Sequence, residues 1–128
     1  MKESFVKKDQ FINWLQIFKE IYMEEFITIN TLEEFEAATK QKAIFLFTTN
    51  WCPDCMFIKP FIGTLAKENP EFSYYVLDRD QHIDLCKDLD IMGIPSFLAY
   101  DKGEKTGRFV SKLRKTKEEI QAFIDSVK

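Results

Sequence analysis

Ala43-Ile44-Phe45-Leu46-Phe47-Thr48-Thr49-Asn50-Trp51-Cys52-Pro53-Asp54-Cys55 is the stretch on which the reading of this chain turns. Its first five residues are all apolar, which suits a central strand buried on both faces. Its end carries two cysteines separated by two residues, with proline directly after the first. Proline is favoured at the first helical position, where its missing N–H is not needed. Cys52 is therefore expected at a strand-to-helix junction, with Cys55 one turn further in and beneath it. A reversible dithiol needs this arrangement: two sulfurs close enough to form a small ring, and one of them partly ionised. The free N–H groups and dipole of the helix N-terminus favour an anion at Cys52. In that chemistry Cys52 attacks a disulfide, and Cys55 resolves the mixed disulfide and leaves the pair oxidised.

Working outward, Ile58, Phe61, Ile62 and Leu65 give the helix after Cys52 its core stripe, and Pro60 lies inside it, where it should kink it. Tyr74–Leu77 reads as the next strand and Ile83–Leu89 as a short helix. Ser96–Tyr100 and Gly107–Val110 flank the turn Asp101-Lys102-Gly103-Glu104 and read as an antiparallel hairpin. Upstream, Phe26–Ile29 is a short strand, and Thr31-Leu32-Glu33-Glu34 has the form of a capping box that opens a helix to about Lys40. Thr116 and Glu119 form a second box, followed at helical spacing by Ile120, Phe123, Ile124 and Val127. The order from residue 26 is βαβαβαββα, which predicts an α/β fold with parallel strands joined by crossover helices and an antiparallel edge. Residues 1–25 stand apart as an N-terminal helical extension to the domain at 26–128.

Composition narrows the class. The chain has 128 residues, enough for one domain, and its 45% hydrophobic content with thirteen phenylalanines argues for a packed core over disorder. The net charge of −3 provides no basic field for nucleic acid or anionic lipid. No apolar run reaches the roughly 18 residues of a membrane span, and no signal peptide is read at the N-terminus. Three cysteines are too few for a stapled secreted fold. The expected location is cytoplasmic, where a single C-x-x-C means redox chemistry or half a metal site.

Trp51-Cys52-Pro53-Asp54-Cys55, Pro60 five residues after the second cysteine, Gly93-Ile94-Pro95 and the turn at 101–104 together resemble the thioredoxin family over residues 26–128. The inner pair Pro53-Asp54 resembles its W-C-P-D-C subgroup. The resemblance implies a thioredoxin fold, a mixed central sheet flanked by helices, here with an extra N-terminal helix. It implies a cis peptide at Ile94–Pro95 facing the cysteines, with Trp51, Pro53, Ile94 and Pro95 contacting substrate. It further implies a disulfide-containing protein or small-molecule substrate, a reductase-type electron donor, and no bound cofactor or metal. Three departures stand out. The family's buried aspartate, six residues before the first cysteine, is Leu46, and the lysine that pairs with it is Val76. The carboxylate in the family is thought to help move the proton of the resolving cysteine. Asp54 is the nearest substitute, although its charge also raises thiol pKa values and so modulates the pair. Ser111 replaces a glycine that lines the groove.

Other residues read more plainly. Met92 reads equally as groove lining or loop packing. Cys86 reads as a small buried apolar residue, His82 as a solvated surface residue, and Lys7-Lys8 and the basic run Lys112–Lys117 as solvated faces. A rival Cys₃His zinc site from Cys52, Cys55, His82 and Cys86 has permissible spacing, but would leave Pro53 and the Gly93-Ile94-Pro95 segment without purpose. Two functions stand: a thiol–disulfide oxidoreductase that reduces disulfides, or a thioredoxin-fold interaction module with secondary redox activity.

Phe11, Leu15, Phe18 and Tyr22 recur at helical spacing, with Trp14 and Ile21 beside them, and predict an amphipathic helix over residues 9–24. Residues 1–25 hold four lysines against five acids, which does not suit a membrane surface. The apolar stripe then needs either the domain's own helices or a second copy, and the reading leans to a homodimer through this helix. Light scattering of the full chain and of a chain lacking residues 1–25 checks this. A dimer that becomes monomeric on deletion is expected; a full-length monomer at tens of micromolar would favour intramolecular packing.

Overall fold

The computed structural model describes residues 23–128, and the alternation read from the sequence becomes β1 (Phe26–Thr28), α1 (Leu32–Ala38), β2 (Ala43–Thr48), α2 (Pro53–Glu68), β3 (Ser73–Asp78), a 3₁₀ turn (Arg79–Gln81), α3 (Ile83–Asp88), β4 (Ser96–Asp101), β5 (Glu104–Phe109) and α4 (Lys117–Ser126). The sheet order is β1-β3-β2-β4-β5. The first three strands run parallel, while β4 is antiparallel to β2 and β5 to β4. This is the expected mixed sheet, with β2 at its centre.

Strand β2 is buried along five of its six residues because each face meets a different layer. Ile44 and Leu46 join the core with Ile58, Ile62 and Leu65 of α2 and Ile120, Phe123 and Ile124 of α4. Ala43, Phe45 and Phe47 join the opposite layer with Phe35 and Ala38 of α1 and Cys86 of α3. Aromatic pairs knit that second layer: Phe45 lies 4.9 Å from Phe35 and 5.2 Å from Tyr75, ring centre to ring centre, spacings that suit tilted and offset ring contacts.

The ends of elements differ in detail from the sequence reading. The box at Thr116 is complete: the Glu119 N–H donates to Thr116 Oγ1 and the Thr116 N–H donates to Glu119 Oε1. At Thr31 only half forms. The Glu34 N–H donates to Thr31 Oγ1, but Glu34 Oε1 accepts from the Asn30 N–H, one residue too early for a reciprocal box. The hairpin is also tighter than the four-residue reading. Asp101 and Glu104 pair across the strands, leaving Lys102 and Gly103 as a two-residue turn, both at positive φ (56° and 86°), as a type I′ hairpin requires. Opposite Ala99 and Tyr100 the register skips Thr106, a bulge in β5. The helix expected over residues 9–24 lies outside the described residues, save that Met23 is buried in the first core layer and Glu24 stands in a turn.

Leu46 is 1% exposed and registers between Val76 of β3 and Phe97 of β4. Both positions of the family's buried charge pair are thus apolar, adjacent and sealed. Leu46→Asp would place a carboxyl there with no partner, and should destabilise the fold by about 3 kcal/mol. Urea unfolding checks it: the midpoint should fall, and an unchanged midpoint would mean that water reaches position 46.

Candidate active site

The C-terminal end of β2 delivers the chain to the site. Cys52 is the N-cap of α2, with extended backbone (φ −82°, ψ 122°), and Pro53 occupies the first turn. The Cys52 carbonyl accepts from the Cys55 and Met56 N–H groups at 3.1 and 3.0 Å, so the helix starts directly under the first thiol. No side chain caps this end. The positive end of a 16-residue helix therefore falls at Cys52. Pro60 lies within α2, and the helix continues through it to Glu68.

Cys52, Cys55 and Ile94 form a small buried cluster, separate from the two core layers. Both thiols are free; Cys52 is 8% exposed and Cys55 fully sealed. Cys52 Sγ lies 3.9 Å from the Ile94 carbonyl oxygen. Burial pushes the Cys55 thiol up to about 11; hydrogen bonds from the Thr48 side chain and the Thr49 backbone pull the other way, and the Cys52 thiol pushes with burial. Cys55 therefore stays protonated at neutral pH until its surroundings change. Thr49 Oγ1 is itself buried with no hydrogen-bond partner among the described residues.

The segment after α3 closes over the thiols. The Ile94–Pro95 peptide is cis, and Ile94 and Pro95 are both buried. Gly93 permits the close approach of the chain after β5: a Cβ there would collide with the backbone of Ser111 and Lys112. Trp51, by contrast, is 61% exposed. Its indole Nε1–H donates to Asp80 Oδ2 at 2.8 Å, and the Arg79 guanidinium lies 5.6 Å from its ring centre. That indole bond is the main cause that holds the Asp80 carboxyl below its ordinary range. Pro53, Met92, Met56, Phe57 and Leu113 are exposed as well, so apolar surface surrounds the site.

Several expectations change here. The basic run is not a solvated face throughout. Arg114 Nε donates to Asp54 Oδ1 at 2.8 Å, and Lys115 is 1% exposed. Asp54, half-buried, is thus engaged by Arg114. His82 is not a solvated residue either: it is partly buried, with Nε2 3.2 Å from the Ile29 carbonyl oxygen. Cys86 packs in the second core layer, apart from the Cys52–Cys55 cluster. Burial pushes its thiol to about 11. Among the described residues no three His, Cys, Asp or Glu side chains gather into a group able to hold a metal, so the rival zinc set is not assembled. Thr48, Thr49 and Asp80 were given no role from the sequence, and Arg114 and Lys115 were read there only as part of a solvated basic run. Only the two threonines carried a signal, as polar residues closing an apolar strand.

The family model described as thioredoxin matches residues 4–126, a span that takes in most of the N-terminal extension. An H-type thioredoxin from Brassica campestris is 33% identical over 77% of this chain and 82% of its own length. Human thioredoxin is 27% identical over 74% and 88%. Among solved structures, oxidised thioredoxin O1 from Arabidopsis thaliana superposes with a TM-score of 0.67 at 24% identity, covering 80% of this chain and 97% of that one. A thioredoxin from Nicotiana alata gives 0.69 at 16% identity, over 81% and 93%. This chain belongs to the thioredoxin family. Its fold is the thioredoxin fold, and its general chemistry is that of a thiol–disulfide oxidoreductase.

Brief alkylation of the reduced protein near neutral pH, mapped by mass spectrometry, should label Cys52 before Cys55 and Cys86. Burial raises the last two thiols, so their labelling should grow as pH rises toward about 11. Preferential labelling of Cys55 at neutral pH would reverse the assignment.

Proposed function

We propose that this chain is a disulfide reductase of the W-C-P-D-C kind, working on protein or small-molecule disulfides through Cys52 and Cys55. The observation that carries the reading is the N-cap thiol with a second thiol sealed beneath it and Ile94 packed against both. Cys52, as thiolate, attacks one sulfur of the substrate disulfide and releases the other as a thiolate. Cys55 then loses its proton and attacks the Cys52 sulfur. A Cys52–Cys55 disulfide forms, the second substrate thiol leaves, and two electrons have passed to the substrate. A reductase-type donor returns them. No cofactor on this chain enters the cycle.

Trp51 and Pro53 offer exposed apolar contact beside the reacting sulfur, and the backbone at Ile94–Pro95 is the expected edge for a substrate strand. Ser111, whose side-chain oxygen accepts from the Leu113 N–H and whose backbone packs against Gly93, narrows the range of substrates. The compartment we assign is the cytoplasm, because a low, odd count of three cysteines does not suit a stapled secreted fold. The second reading, an interaction module, draws on the exposed Met92 and Leu113, 71% and 74% accessible.

Insulin reduction coupled to dithiothreitol separates the two readings. The parent should turn over, Cys52→Ser should lose at least a hundredfold in rate, and Cys55→Ser should accumulate a mixed disulfide at Cys52. A parent without turnover, or a fully active Cys52→Ser, would favour the interaction module.

A further inference from the structure

Two consecutive basic residues follow β5, one at the surface and one buried. Arg114, half-exposed, reaches across sixty positions to hold Asp54 Oδ1 at 2.8 Å, and its guanidinium carbon stands 4.5 Å from the centre of the Phe57 ring. Asp54 and Phe57 both lie in the first turns of α2. Lys115 comes from within. Among the described residues it is the one charged side chain in the buried set. Its Nζ donates to the Ser111 and Leu113 carbonyls at 3.1 Å each and lies 5.3 Å from the Phe109 ring centre.

A buried ammonium needs compensation for its lost hydration. Two carbonyl bonds and a ring face are part of it. The rest is electrostatic: burial pulls the Lys115 ammonium below its usual range, and Asp54 first, then Cys55, Glu119 and Cys52, oppose that shift. Lys59, half-buried one turn after Cys55, is linked in the same way to the Cys55 thiol. Both ammonium groups are thus linked electrostatically to the thiol pair, while positions 46 and 76 on β2 and β3 are apolar.

Resting on the reductase reading, we propose that Arg114 and Lys115 are positioning residues that set the dithiol–disulfide equilibrium of Cys52 and Cys55, Arg114 by neutralising Asp54 and Lys115 by supplying positive charge from the protein side. The Asp54 carboxylate sits inside the motif and disfavours a neighbouring thiolate. The guanidinium cancels that charge at the surface, and its planar fork over Phe57 keeps it in place. The Lys115 ammonium is buried and held by two carbonyls, so its charge is screened less by salt than that of Arg114.

Glutathione redox buffers provide the test, with the oxidised fraction of the full chain read by alkylation and mass. Arg114→Gln should move the equilibrium toward the Cys52–Cys55 disulfide by three- to tenfold at low salt, which is ~15–30 mV more negative. The shift should shrink at high salt, disappear in an Asp54→Asn background and be restored by Arg114→Lys. Lys115→Met, which keeps an unbranched chain over Phe109, should shift in the same direction with little salt dependence. An equal Arg114→Gln shift with and without the Asp54 carboxylate would overturn the proposal, as would no shift in either variant. A parent that forms no Cys52–Cys55 disulfide in these buffers would instead overturn the reductase reading itself.

Discussion

Burial of β2 on both faces is the constraint from which the rest follows. A strand with helices packed above and below has no solvated side, so every residue from Ala43 to Phe47 must be apolar or small. The chain can change direction only at the edge of the sheet, and there Pro53 starts the helix. Cys52 becomes the cap because it is the residue between a strand that cannot extend further and a helix that begins at proline. The sealing of Cys55 follows, since one turn into α2 the helix already rests on the sheet.

The same burial sets the electrostatics. Thioredoxin-family members commonly place a charge pair at the positions of Leu46 and Val76. Here those residues face one another across β2 and β3 as hydrocarbon. That avoids the desolvation of two ions, which a buried pair recovers only with good geometry. The charge near the thiols comes instead from the chain after β5, with Arg114 on Asp54 and Lys115 beneath Ser111 and Leu113. Gly93 makes this arrangement available, because a side chain there would push the Ser111–Lys112 backbone away.

The fold was legible because its signals are local. A doubly buried strand, a proline after a cap, helical stripes and a glycine turn each depend on residues close in sequence. The misreadings were also local in origin. Glu34 stands at the spacing of a capping box, yet its carboxylate takes the Asn30 N–H, which depends on how the preceding loop enters. His82 looked solvated because it opens a short polar helix, but β1 brings the Ile29 carbonyl to it. Lys115 sits in a run of basic residues that any composition argument places in water. It is buried because β5, α4 and the Ser111–Leu113 loop meet around it.

By itself the sequence determined the order of elements, the central strand, the two sulfurs and their unequal places on α2, because periodicity, capping and proline geometry act over a few residues. Tertiary structure alone decided which charges meet beside the Cys52–Cys55 motif and which are buried. Arg114 and Asp54 lie sixty positions apart in the chain, and an ion pair or a buried ammonium depends on distance and dielectric in space, quantities that no local pattern of residues encodes.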